Sequence, residues 1–189
     1  MKNNRIIQLL TYLYFSQLSQ PANSGDLIFI AEGGLASLDV SEEYRPTPTS
    51  DGSYTNFALG LTAGYKFDSQ IILSATYNNY YGISAFGESD RVHVYDVCVG
   101  AGYSIEHSKS LRIVPMIMFC SWDLDSKEGA IFSSNPDANE FSGNDVVGKI
   151  NFELPVNDTF SLNISLTYGN YDFGGITAVR VGGKFEVFN

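Results

Sequence analysis

The sequence predicts an all-β fold, an eight-stranded antiparallel up-and-down transmembrane β-barrel, and three observations predict it. Residues 54–67, YTNFALGLTAGYKF, separate into two interleaved rows: Thr55, Phe57, Leu59, Leu61, Ala63, Tyr65 and Phe67 against Asn56, Ala58, Gly60, Thr62, Gly64 and Lys66. Side chains alternate across a strand, so one face is apolar and the other small and polar. A water-facing row normally carries charge; Gly, Ala, Thr and Asn suit a narrow interior, which turns the greasy row to lipid. Residues 92–105, VHVYDVCVGAGYSI, repeat the pattern, with Tyr95, Val97, Val99, Ala101, Tyr103 and Ile105 opposed to Asp96, Cys98, Gly100, Gly102 and Ser104. The third observation is the alternation of long and short connections, as in a meander whose two ends face different compartments. No run reaches the roughly 18 apolar residues of a spanning helix, so any crossing is made by strands.

In chain order, the first strand is Leu27 to Val40, which holds Glu32 and Gly33-Gly34 and has the least defined facing. Residues 41–53, SEEYRPTPTSDGS, are turn-formers and acids, hence a solvated loop. The second strand, 54–67, leads into the tight connection Asp68-Ser69-Gln70. The third, Ile71 to Tyr81, sets Leu73, Ala75, Tyr77 and Tyr81 against Ser74, Thr76, Asn78 and Tyr80, and residues 82–91 form the next loop. After the fourth strand, residues 106–110 turn the chain. The fifth, 111–122, puts Leu111, Ile113, Pro115, Ile117 and Phe119 outward; Pro115 lacks an N–H, so a bulge or loosened pairing is expected there. Residues 123–143 read as the longest and most acidic loop. The sixth strand alternates Val146, Ile150, Phe152, Leu154 and Val156 with Val147, Lys149, Asn151 and Glu153, and Asn157-Asp158-Thr159 turns it. The seventh sets Leu162, Ile164, Leu166 and Tyr168 against Ser161, Asn163, Ser165 and Thr167. A brief loop at 172–175 leads to the eighth, where Val179, Val181, Phe185 and Val187 oppose Arg180, Lys184 and Glu186.

The chain of 189 residues fits a single barrel. Residues 1–24 have the layout of a secretory signal, with Lys2 and Arg5, an apolar run from Ile6 to Phe15, and Ala22-Asn23-Ser24 before a cut; a retained amphipathic surface helix is the alternative. The barrel is then residues 25–189. Its removal of Lys2 and Arg5 would take the formal charge from -10 to -12, which argues against a nucleic-acid partner. Charged residues are only 17% of the whole and concentrate in the loops.

These features resemble the small eight-stranded outer-membrane proteins, the family of OmpX, Ail and the transmembrane part of OmpA. The residues that carry the resemblance are the strand ends Gly64-Tyr65 and Gly102-Tyr103, the loop lengths, and the closing VGGKFEVFN. The family's assembly signal ends on an aromatic residue, whereas here Phe188 is followed by Asn189. The resemblance implies a Gram-negative-type outer membrane with lipid and lipopolysaccharide as surroundings, loops facing the exterior, and a lumen too full to conduct freely.

The lumen row collects Lys66, Asp96, Arg112, Lys149, Glu153, Arg180, Lys184 and Glu186. Such charges are costly to bury unpaired, so an ion-pair and hydrogen-bond network with trapped water is expected, and a structural plug outweighs an ion path. Cys98 and Cys120 fall on neighbouring strands and share the lumen face about a turn near Lys109; a cross-strand disulfide and two separate packed thiols are both open. Tyr44, Phe86, Ile131, Phe132 and Phe141 are apolar handles in polar loops, either contacts for an extracellular or host ligand or packed on the rims. No catalytic, cofactor or metal residues are assigned. His93 lies on the lipid-facing row and His107 in the opposite turn, neither placed for a Ser-His-carboxylate site. Asp123-Leu124-Asp125 opens like a calcium loop, but Lys127 and Glu128 break the pattern. The expected function is a monomeric surface anchor for binding or envelope integrity, not an enzyme. A lipid A-modifying enzyme and a narrow solute channel are the alternatives, and a soluble lipocalin-like barrel is the rival fold.

Overall fold

The computed structural model describes residues 25–45, 52–82, 91–127 and 139–188. Nine strands follow in chain order: β1 (Gly25–Val40), β2 (Ser53–Phe67), β3 (Ile71–Gly82), β4 (Arg91–Tyr103), β5 (Ile105–Ser108), β6 (Leu111–Lys127), β7 (Asn139–Pro155), β8 (Phe160–Tyr171) and β9 (Gly174–Phe188). A single 3₁₀ turn, Glu42–Tyr44, follows β1. Antiparallel neighbours run β4-β3-β2-β1-β9-β8-β7-β6-β5, and β4 also pairs with β6, so the sheet closes on itself. Ser104 divides β4 from β5, which are two lengths of one stave; the barrel therefore has eight.

That division has a cause in the sequence. Pairing with β6 lapses after Gly102↔Met116 and resumes at Ile105↔Ile113. Pro115 lies in the interval with no N–H to donate, which is the loosened pairing expected of it. The Ser104 N–H turns away to the Gln70 carbonyl at 2.9 Å. His107, placed by its sequence in a turn, is an exposed residue of β5 beside that turn.

The facing of the strands decides between membrane and soluble barrels. Leu59, Leu61, Val97 and Val99 are 49, 60, 56 and 38% exposed, so the greasy row points out and the lipocalin-like alternative is excluded. On β1 the outward apolar row runs from Leu27 to Leu35, and on β9 from Val179 to Val187. Nine residues span roughly 27 Å along a strand, or about 20 Å along the axis at a tilt of about 40°. With the aromatic girdle residues at its edges, this apolar row approaches the roughly 25 Å band that a transmembrane barrel presents to lipid.

Beyond Leu35, Phe57, Phe119 and Val146 the alternation continues but its sense reverses. Outward positions become Ser37, Asp39, Thr55, Ser121, Asp123, Ser142 and Asn144, all exposed. Inward positions become Leu38, Val40, Val92, Val94, Trp122, Leu124, Phe173 and Ile176, all buried. The wall here stands above the lipid and follows the soluble rule, polar outside and apolar within. Two expectations are corrected by this. The loop assigned to 123–143 is shorter, because β6 runs to Lys127 and β7 begins at Asn139; polar outward residues of a strand that has left hydrocarbon look like loop in sequence. The lumen is not small and polar throughout, since its upper storey is an aromatic and aliphatic core.

Candidate functional site: the lumen and the barrel mouth

The middle of the lumen is organised on Glu32 of β1. Its carboxylate accepts from Lys149 Nζ of β7 at 2.6 Å, Arg180 Nη1 of β9 at 2.8 Å and Asn163 Nδ2 of β8 at 3.0 Å. Arg180 also donates to Asn78 Oδ1 and to the Tyr80 hydroxyl of β3, each at 2.8 Å, and lies over the Tyr80 ring. Asn78 in turn donates to Asp96 Oδ1 of β4 at 2.6 Å, and the Tyr171 hydroxyl of β8 donates to Asp96 Oδ2 at 2.8 Å. The chain of bonds thus ties six staves across the barrel axis. Each charge meets opposite charge or directed hydrogen bonds, the condition for burying it.

A second cluster closes the short-turn end. Lys184 lies 2.6 Å from Glu153 and 2.7 Å from Glu186. Glu186 also faces Lys66 at 3.4 Å and Arg112 at 3.2 Å, and Lys66 pairs with Asp26 at 3.1 Å. Between the clusters lies a cavity of about 10 Å³ lined by Ile28, Ile30, Thr62, Ser74, Met116 and Lys184, among others. Its volume holds about one water molecule.

All eight charged residues assigned to the lumen from sequence are there, in two groups. Asp96 joins the network through hydrogen bonds to neutral groups, Asn78 and Tyr171. The charged set read from sequence omits the hub, Glu32, and the neutral members of the network: Asn163, which bonds Glu32, Asn78 and Tyr80, which bond Arg180, and Tyr171, which bonds Asp96. The hub's signal was available: Leu27, Phe29 and Leu35 are all odd-numbered and outward, which turns Glu32 inward.

Cys98 and Cys120 face each other in register across β4 and β6 and are joined by a disulfide within the lumen. Asp96 is the third member of this cluster, but with both sulfurs bonded there is no thiolate to hold a metal. Asp123 and Leu124 occupy opposite sides of β6, outward and buried, so this segment is strand and not a cation-binding loop.

At the mouth, Trp122 Nε1 donates to Asp145 Oδ2 at 2.8 Å, and its ring packs edge-on against Phe173 at 4.8 Å between centroids. The start of the first long connection is tied down: Ser41 N bonds the Phe173 carbonyl and Arg45 Nε the Val40 carbonyl, each at 2.8 Å. Tyr44 and Phe141, for which ligand contact and packing on the rim were both open, meet edge-on at 4.8 Å and pack on the upper core. Phe86, Ile131 and Phe132 lie outside the described residues. On the outer surface His93 Nε2 bonds Asn79 Oδ1 at 2.8 Å, with Tyr81 and Tyr95 edge-on at 5.1 and 5.7 Å. Aromatic rings with a polar edge suit the hydrocarbon–water boundary, where this row changes character.

No protein-family model and no curated protein matches the sequence. Solved structures do. Neisserial surface protein A superposes with a TM-score of 0.66 at 12% identity, covering 85% of this chain and 97% of that one. Ail, the attachment invasion locus protein of Yersinia pestis, gives 0.60 at 11%, covering 88% and 100%; Ail has also been solved in complex with the heparin analogue sucrose octasulfate. The outer membrane protein OprG from Pseudomonas aeruginosa gives 0.56 at 13%, covering 88% and 98%. This chain is therefore a closed eight-stranded antiparallel transmembrane β-barrel with the fold of the small outer-membrane proteins.

Proposed function

We propose that this protein is a monomeric outer-membrane barrel whose lumen is a structural plug and whose long-loop end is a cell-surface binding face for a cationic partner. Self-closure of the sheet supports a barrel complete in one copy. The cross-linked lumen with its cavity of about 10 Å³ supports an anchor in preference to a solute channel.

One observation carries the binding reading: the charge is sorted along the axis. Residues 38–53, 83–94, 121–145 and 172–175, which belong to the long-loop end, hold four, two, six and one acidic side chains, 13 in total, against Arg45, Arg91 and Lys127. The lumen, by contrast, is close to neutral, with Glu32, Asp96, Glu153 and Glu186 facing Lys66, Arg112, Lys149, Arg180 and Lys184. A surface of this sign attracts basic ligands and repels a polysulfate such as the heparin analogue held by Ail.

The test replaces residues 128–138, leaving the β6 and β7 strands whole, with a short Gly-Ser turn. Cells bearing either form are probed with fluorescent polylysine and with fluorescent heparin. Reduced polylysine binding with unchanged heat-modifiable gel migration is the expected result; equal binding by both forms would count against the reading. Fractionation that finds the chain outside the outer membrane would sink the location, and conductance steps in planar bilayers would sink the plug.

A further inference from the structure

The disulfide lies where no reagent of useful size can reach it. Cys98 is 1% exposed and Cys120 0%, both inside a wall whose pairing is continuous on each side. The layer above them is the core around Trp122 and Leu124; below them Met118 is buried, and under it lies a cavity with room for about one water. Thiol–disulfide exchange needs a thiolate, a disulfide sulfur and a leaving sulfur brought into line, which demands space for the oxidant beside the cysteine.

We propose that the Cys98–Cys120 bond is made before the barrel closes, by exchange with a disulfide-bearing oxidant, so that a dithiol-oxidising step must precede insertion of this chain. The inference rests on the outer-membrane reading for its cellular setting, the periplasm, but not for its chemistry. One cysteine, as thiolate, attacks the oxidant's disulfide, forming a mixed disulfide and releasing one oxidant thiolate. The second cysteine thiolate then attacks the chain's sulfur in that mixed bond. The Sγ–Sγ bond forms, the oxidant leaves as a dithiol carrying two electrons, and the two protons lost by the cysteines are balanced by those taken up by the leaving thiolates. In register across the β4–β6 hairpin, the two thiols meet as soon as that hairpin forms, with no need of the other staves.

The experiment uses the reduced chain in two states, unfolded in urea and refolded into lipid bilayers, with folding scored by heat-modifiable migration. Oxidised glutathione is added to each, and remaining thiols are counted by mass shift with a maleimide polymer after denaturation. The folded, reduced form should oxidise at least about a hundredfold more slowly than the unfolded form, because reaction then waits on opening of the wall. Equal rates would overturn the proposal. If the reduced chain does not fold while the oxidised chain and the C98S/C120S variant do, closure again follows oxidation and the proposal stands. Should cells place the chain elsewhere than the outer membrane while the rate difference holds, the location falls and the order of events remains.

Discussion

Replacing Glu32 by Gln isolates the central node of the lumen. The substitution keeps the shape of the side chain and removes its charge. Among the described residues Lys149 makes its only ion pair with Glu32, at 2.6 Å, with side chains 3 and 0% exposed. Arg180 keeps Asn78 and Tyr80 as partners, so the loss falls chiefly on Lys149. Orphaning one member of a buried pair costs about 3–5 kcal/mol. At a slope of about 4 kcal/mol per M in guanidinium, the unfolding midpoint should fall by about 1 M. The assay is a guanidinium titration of the chain refolded in detergent micelles, read by circular dichroism and by unboiled gel migration. Combining Glu32→Gln with Lys149→Gln should restore most of the loss, because two amides can bond each other and no ammonium is left bare. A single variant as stable as the parent, or a double variant whose losses simply add, would refute the reasoning.

Lys184→Met should cost a similar 3–5 kcal/mol or so in the same titration, since Glu153 and Glu186 lose the cation between them; adding Glu153→Gln should recover part of it. Leu61→Arg, on the outward row at the middle of β2, should destabilise by about 2–4 kcal/mol in bilayers, whereas Ser121→Arg, outward but above the girdle, should be silent. Equal effects would misplace the membrane boundary. Trp122→Phe should cost about 1–2 kcal/mol through the lost bond to Asp145, whose carboxylate still accepts from the Asp172 N–H. Cys98→Ser with Cys120→Ser should lower stability by about 3 kcal/mol, the chain entropy released by a link spanning 22 residues, with the lumen contacts otherwise kept.

The membrane-embedded part of the barrel was legible because period-two alternation is strongest where one side meets hydrocarbon and the other a crowded lumen. Leu59 and Leu61, or Val97 and Val99, leave no ambiguity about facing, and the charged lumen residues follow by parity. The mouth was not legible for the same physical reason turned round. Above the girdle the code is that of a soluble barrel, so Asp123 and Ser142 looked like loop although they sit on paired strands. Glu32 was missed because the adjacent glycines remove side chains from the pattern, and an isolated carboxylate beside Gly33-Gly34 resembles a turn. Which residues become partners depends on register around the whole circumference: Glu32 and Arg180 are 148 positions apart, and no local window joins them.

The chain contains one tryptophan, and it is 2% exposed in the upper storey, walled off from the lipid-facing surface. Intrinsic fluorescence of this protein therefore watches the mouth seal and is blind to arrival in the bilayer. Brominated acyl chains, which quench indoles that touch hydrocarbon, should leave its emission untouched, while loosening of the rim around Phe173 and Tyr171 should shift it to the red. A single natural chromophore thus separates two late events of assembly that in girdle-tryptophan barrels are recorded as one.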